Sequence, residues 1–357
     1  MVINMKKVAI LTITNSGLNF GNRLQNFALQ KYLEQFDVEV ENIVSAKSCK
    51  NSLALSKLRR LTKKLLKTDD RRKNFNEFNR KYIKNAKRIR YEGINESTFA
   101  DEYDIFIAGS DQVWNPNFHF NSDFEFASFA PREKRFSYAA SIGVSSIKSE
   151  HREEFIKNIN GMRALSVREK DSIPLIKELT GRDAMVHVDP TMLLDRNVYE
   201  QIEEKPPQGL PDKYMFVYFL GNVPKEYRDN INKLAGNLGI EVVELSEMQG
   251  TKYYDIGPQH FLYALNHADY ICTDSFHGSV FSILFEKKFS IFARQDDDEC
   301  MNSRIETLVD TFGLNDRIAA TMDIEEALKE IDYSRVKEIL KKEREKSRIY
   351  LTDVCQG

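Results

Sequence analysis

The stretch Asp269–Phe285, DYICTDSFHGSVFSILF, changes character in its middle in a way that few folds accommodate. Tyr270, Ile271 and Cys272 read as a short buried strand, and Val280, Phe281, Ile283, Leu284 and Phe285 as the apolar side of a helix. Thr273 to Gly278 form the polar turn between them. A strand end feeding a helix start aims free backbone N–H groups into the crevice outside a parallel sheet, where anions bind. His277 stands at that helix start with Ser275, Gly278 and Ser279 around it, so an imidazole, able to carry a proton, lies beside a seat for phosphate or carboxylate. A lone histidine at a capped helix is often structural; the junction as a whole points to a site.

At 357 residues, 41% apolar and 30% charged, the chain exceeds one ordinary core, and two domains are expected. No run of about 18 apolar residues is present to span a bilayer. MVINMKKVAILTI reads as a charged start to a first strand rather than a signal peptide, so a cytoplasmic protein is expected. Cys49, Cys272, Cys300 and Cys355 are far apart with no C-x-x-C spacing, which argues for free thiols over a disulfide framework or a zinc site. The net charge of −2 conceals a strong local bias: Lys47–Arg90 holds seventeen Lys or Arg against Asp69, Asp70 and Glu77. Leu55, Leu58, Leu61, Leu65 and Leu66 fall at helical spacing among them, describing a basic amphipathic helix that suits an anionic membrane surface. A solvated face docked by its leucines is the alternative. Nucleic acid is disfavoured, because no aromatic stacking positions are interleaved.

Val8–Ile13 suits a central parallel strand, followed by an Asn- and Gly-bearing loop and a helix marked by Leu24, Phe27, Ala28, Tyr32 and Leu33. Neither G-x-G-x-x-G nor a P-loop pattern occurs there. Asn22, Arg23 and Gln25 at the helix start are candidate ligand contacts, or caps and surface groups. Tyr103–Ala108 is a second strand, ending in Gly109–Pro116, where Asp111 is placed to accept a proton from, or to orient, a hydroxyl. Trp114, the sole tryptophan, is a candidate stacking platform or a core residue, and His119 a candidate second proton carrier. Strands are expected at Arg135–Gly143, Ala164–Val167 and Met185–Val188, with helices at Glu150–Asn160 and Asp171–Leu179. Leu194–Lys213, rich in proline, reads as a linker into a second alternating domain that starts at Tyr214. The expected division is 1–194, with a basic helical insert at 47–90; linker 195–213; second domain 214–322; and terminal helices 323–357 that pack back on the first domain. Three adjacent aspartates at 296–298 suit a solvated turn better than a metal site, and no metal is expected.

The junction, taken with GNRLQNFALQKYL at Gly21–Leu33, AGSDQVWNP at Ala108–Pro116, SVREKDS at Ser166–Ser172 and VDPTMLL at Val188–Leu194, resembles the polysaccharide pyruvyl transferases. The resemblance runs from the N-terminus to about Gly313. The family's usual wording at the junction is Arg-Leu-His-Gly, whereas this chain has Ser275-Phe276-His277-Gly278, keeping the histidine and losing the arginine. What the resemblance implies is an α/β fold of two doubly wound Rossmann-like domains facing a cleft, in the manner of glycosyltransferase type B. It implies transfer of a pyruvyl group from phosphoenolpyruvate, as a ketal, to a sugar of a bacterial surface polysaccharide or its polyprenyl-linked precursor, with no cofactor beyond the donor.

On that reading His277 carries the proton, with Asp111 or His119 serving the acceptor. Arg168, at a strand end where the resemblance suggests a ligand-binding arginine, forms the donor clamp with Ser275, Gly278 and Ser279. Arg304 or Arg294 stands in for the missing arginine, and Asn22, Arg23, Gln25 and Trp114 lie on the acceptor side. The basic segment 57–90 is the expected contact with the inner face of an anionic plasma membrane. Two rival readings are a nucleotide-sugar glycosyltransferase of the same fold and a non-catalytic member of a polysaccharide assembly.

Overall fold

The computed structural model describes residues 5–13, 18–45, 70–83, 86–89, 96–118, 123–246, 248–294, 303–319 and 327–357. Its first sheet contains β1 (Lys7–Leu11), β2 (Glu39–Ser45), β3 (Ala86–Ile89), β4 (Ile105–Ala108) and β5 (Arg135–Ser137) in the order β3-β2-β1-β4-β5. Every pairing in it is parallel, with Val8 opposite both Val40 and Ile105. Val8–Leu11 and Ile105–Ala108 are buried at each position, because helices cover both faces of such a sheet. A short pair, β6 (Ser166–Val167) with β7 (Met185–Val186), continues this layer through isolated bridges Phe136–Ala164 and Ala140–Val167.

The second sheet holds β8 (Tyr214–Tyr218), β9 (Glu241–Leu245), β10 (Tyr270–Thr273), β11 (Lys288–Phe292) and β12 (Ile318–Ala319) in the order β12-β11-β10-β8-β9, again wholly parallel. Both domains are therefore doubly wound. The strand order reverses between β1 and β4 in the first and between β8 and β10 in the second, and crevices open outside the carboxyl ends of strands at such points.

Four expectations are corrected. The strand expected over Arg135–Gly143 ends at Ser137, because Ala139, at φ 45°, takes the chain out of the extended region. The helix expected from Val280 begins at Phe276, capped by the Ser275 side chain, which accepts from the Gly278 N–H. The 195–213 connection contains a short helix, Arg196–Glu200. The basic insert drawn at 47–90 is too long: Asp70–Tyr82 is a helix of the domain and Ala86–Ile89 its edge strand, while the leucine-bearing stretch 55–66 lies outside the described residues.

The two domains share one apolar core. Phe20, at the start of the helix Phe20–Leu33, stacks on Phe261 of the second domain at 4.7 Å and meets Tyr218 edge-on. Arg71, read from sequence as a membrane-facing charge, is fully buried in this seam. Its guanidinium lies about 5 Å from the rings of Phe20 and Tyr254 and donates to the Leu18 and Tyr254 carbonyls. The terminal helix Tyr333–Gln356 crosses back to the first domain, where Tyr350 donates to the Ser137 carbonyl at 2.7 Å and Arg344 to that of Met192 at 2.7 Å.

Arg71 therefore serves stability. Arg71→Ala removes a buried cation and leaves carbonyls without donors, and is expected to lower stability by about 2–4 kcal/mol in denaturant unfolding. The exposed neighbour change Lys73→Ala should stay within about 0.5 kcal/mol. Equal midpoints for the two variants would contradict the buried role.

Candidate active site

The two switch points face each other across a cavity of 260 Å³. Its wall follows the strand ends in turn: Ile13, Asn19 and Asn22 after β1; Asp111, Gln112 and Phe118 after β4; Leu220 after β8; Ser275, Phe276 and His277 after β10; and Arg294 after β11, with Arg304 from the helix Ser303–Phe312. Except for Arg304, these groups follow buried strands, whose carboxyl ends place polar side chains at the crevice.

Asp189 underlies the wall. It is almost fully buried at the N-cap of the turn Pro190–Met192. One oxygen accepts from the Thr191 N–H at 3.0 Å and the Thr191 hydroxyl at 2.7 Å. The other accepts from Ser110 Oγ at 3.0 Å and from Arg168 Nη1 at 2.9 Å, and faces His277 Nε2 at 3.6 Å. Burial by itself opposes the charged form, but the His277 and Arg168 charges and the Thr191 N–H outweigh it. They hold the Asp189 carboxyl far below the usual carboxylate range.

Asp111 sits at φ 67°, a left-handed conformation unusual for a residue with a side chain, and aims its carboxylate at the cavity. Asn22 Nδ2 donates to it at 3.3 Å, and Arg168 Nη2 lies 3.6 Å away. Burial is again outweighed, here by Arg168, His277 and Arg304, and the pKa is lowered. A carboxylate so stabilised is a weak base, so Asp111 is suited to orient a hydroxyl rather than to take its proton.

The cations divide by task. Arg168 is buried beneath the wall, engaged by Asp189 and Asp111 and stacked 4.3 Å over the Phe276 ring, and it does not line the cavity. Its expected place in the donor clamp is thereby corrected: it orients the carboxylates. Arg304 and Arg294 do line the cavity. Burial, with the Arg168 charge nearby, draws Arg304 down to about 10, where it stays protonated at neutral pH; with its oxygen turned to Arg304, the Gln112 amide accepts from both Nη atoms at 2.8 and 3.0 Å. Arg294 Nε lies 3.5 Å from Asp274, whose carboxylate also accepts from the Leu220 and Gly221 N–H groups.

Of the other expected contacts, Ser275 lines the cavity but spends its hydroxyl on the helix cap. Gly278 and Ser279 do not reach it. A Cβ on Gly278 would stand 2.5 Å from Thr273 Oγ1, so the glycine permits close helix–strand packing, and Ser279 Oγ donates to the Ser275 carbonyl. Arg23 and Gln25 are buried, the first donating to Asn22 Oδ1 and the second to Thr12 Oγ1, and neither lines the cavity. Trp114 is a core residue, fully buried and stacked on Phe126 at 5.1 Å, rather than a sugar platform. His119 lies outside the described residues. Asp189 is the residue that sequence reading passed over, although it closes a strand in a recognised motif. Among the described residues no group of three or more His, Cys, Asp or Glu is placed to hold a metal ion.

The carboxylates make stability depend on acid in a defined direction. Because their folded pKa values are depressed, the unfolded chain takes up protons first, near pH 4. Their stabilisation is complete above that pH and is lost as pH falls below it. His187, whose ring burial and the Lys346 charge pull down to about 4, accounts for a separate loss between about pH 6.5 and 4. Asp189→Asn should therefore flatten only the limb below about pH 4 in thermal melts across pH. An unchanged low-pH limb would contradict the ion-pair assignment.

The family model described as polysaccharide pyruvyl transferase matches residues 19–296. Among solved structures, the UDP-GlcNAc 2-epimerase of Neisseria meningitidis bound to UDP-GlcNAc superposes with a TM-score of 0.51 at 10% identity, covering 96% of this chain and 94% of that one. UGT89C1 of Arabidopsis thaliana, in complex with UDP-L-rhamnose, does so with a TM-score of 0.50 at 12% identity, covering 98% and 99%. The likeness is one of fold, the two-domain glycosyltransferase type-B arrangement. No curated relative matches the chain.

Proposed function

The chain belongs to the polysaccharide pyruvyl transferase family, and from that premise we propose that the cavity binds phosphoenolpyruvate and passes its pyruvyl group to two hydroxyls of a sugar in a surface polysaccharide or its lipid-linked precursor. The observation that carries the reading is the convergence of His277, Arg294 and Arg304 on one small cavity beside the ionised Asp111. Two guanidiniums match the phosphate and carboxylate of the donor. His277, backed by the Asp189 carboxylate, is suited to hold and give up a proton.

In the proposed sequence protonated His277 gives its proton to the donor methylene, which becomes a methyl group while positive character builds at C2. The first sugar hydroxyl, oriented by Asp111, attacks C2 and returns its proton to His277. The C2–O bond to phosphate then breaks, the second hydroxyl closes the ketal, and its proton leaves on the phosphate. One phosphoenolpyruvate and one diol thus give one ketal and one phosphate. The rival donor, a nucleotide sugar, is favoured only by fold likeness, which does not fix chemistry.

Phosphoenolpyruvate at about 100 times its dissociation constant should stabilise the protein by about 2.7 kcal/mol without added divalent metal. A melting shift confined to UDP- or GDP-sugars would overturn the donor assignment. His277→Ala should slow phosphate release by roughly 10² to 10⁴ while sparing donor binding. Arg304→Lys, which keeps the charge and loses the fork, should chiefly weaken donor binding. Identical kinetic defects in these two variants would contradict their separate roles.

A further inference from the structure

Gly21 stands in the first turn of the helix Phe20–Leu33, and its neighbour across the domain seam is the ring of His277. A methyl group built on Gly21 would lie 2.0 Å from His277 Nδ1, 2.2 Å from Cγ and 2.7 Å from Cε1. Such separations are far inside van der Waals contact, so the imidazole rests on the bare α-carbon. The glycine is not there for its conformational range: it is helical, and a helix interior favours alanine. On its other sides the ring meets Phe276 at 5.2 Å, edge to face, and presents Nε2 to Asp189. His277 belongs to the second domain, whereas Gly21 and Asp189 belong to the first.

We propose that Gly21 is a positioning residue for the proton carrier, the absence of its side chain being what lets the first domain seat the His277 ring against Asp189. This rests on the reading of His277 given above. The ring cannot keep its place once a methyl group stands there, because both Nδ1 and Cγ are overlapped. Cγ is fixed close to the backbone of His277, so relief requires a new rotamer or a shift of one helix against the other. Either change moves Nε2 relative to Asp189 and to whatever occupies the cavity. A displacement on the order of 1 Å at a catalytic group is enough to slow turnover by about 10²-fold.

The test compares Gly21→Ala with Gly236→Ala, a helical glycine whose added methyl meets nothing within 4 Å. With ¹⁵N-labelled histidine, and the His277 signal identified by its loss in His277→Ala, Gly21→Ala should move the His277 ring resonances and Gly236→Ala should not. Phosphate release from phosphoenolpyruvate should fall about 10²-fold in Gly21→Ala, with the donor dissociation constant changed less than about threefold. In the His277→Ala background Gly21→Ala should add no further loss. Unmoved His277 resonances in folded Gly21→Ala, or a multiplying loss in the double variant, would overturn the proposal. Should Gly21→Ala fail to fold, folding of the Gly21→Ala/His277→Ala pair supports the clash with the ring, and its failure overturns it. If the wild-type protein releases no phosphate from phosphoenolpyruvate, the functional reading fails, while the resonances still decide whether Gly21 seats the ring.

Discussion

A buried carboxylate is stable only where its charge is matched, and Asp189 is matched from both halves of the molecule. Ser110, Arg168 and Thr191 of the first domain supply hydrogen bonds, and His277 of the second supplies its ring. Removing one of these weakens the matching of a charge that is almost fully buried. The same contact that satisfies the charge therefore fixes the angle at which the second domain presents its histidine. Around it the aromatic seam of Phe20, Tyr218 and Phe261 supplies apolar burial, and Arg71 closes that seam by donating to backbone carbonyls on either side.

Above this layer the cavity is lined by cations on the second domain's side and by Asp111 and Asn22 on the first's. Arg294 is steadied by Asp274, which also ties down Leu220 and Gly221, so one carboxylate sets both a cation and the loop beside it. The Ser275 hydroxyl oxygen caps the helix that bears His277. The guanidiniums of Arg294 and Arg304 reach the cavity from other elements.

Much of this was legible in the chain itself. Apolar runs at Val8–Leu11, Ile105–Ala108 and Tyr270–Thr273 announced buried parallel strands, and the polar residues just beyond each strand announced the cleft. His277, Asp111 and Asn22, which line the cavity, were legible for that reason, and Arg304 as a residue of a helix leading toward the cleft. Arg168 and Trp114 were visible as residues but not in their places, since a strand-end arginine reads alike whether it meets a ligand or the protein's own carboxylates, and an indole reads alike in a core or a cleft. Asp189 was missed because its importance lies in partners far apart in sequence. Arg71 was misread because it sits among seventeen basic residues in one segment, Lys47–Arg90, whose pattern does not tell an inward-turned arginine from a solvated one.

The central claim is that Asp189 and His277 act as one unit across the domain seam. A double-mutant cycle on phosphate release from phosphoenolpyruvate, using Asp189→Asn, His277→Ala and both together, tests it most directly. The account predicts that each single change is slow and that the pair is no slower than His277→Ala alone, because Asp189 works through the ring. Losses that multiply would show that the two residues contribute separately, and would contradict it.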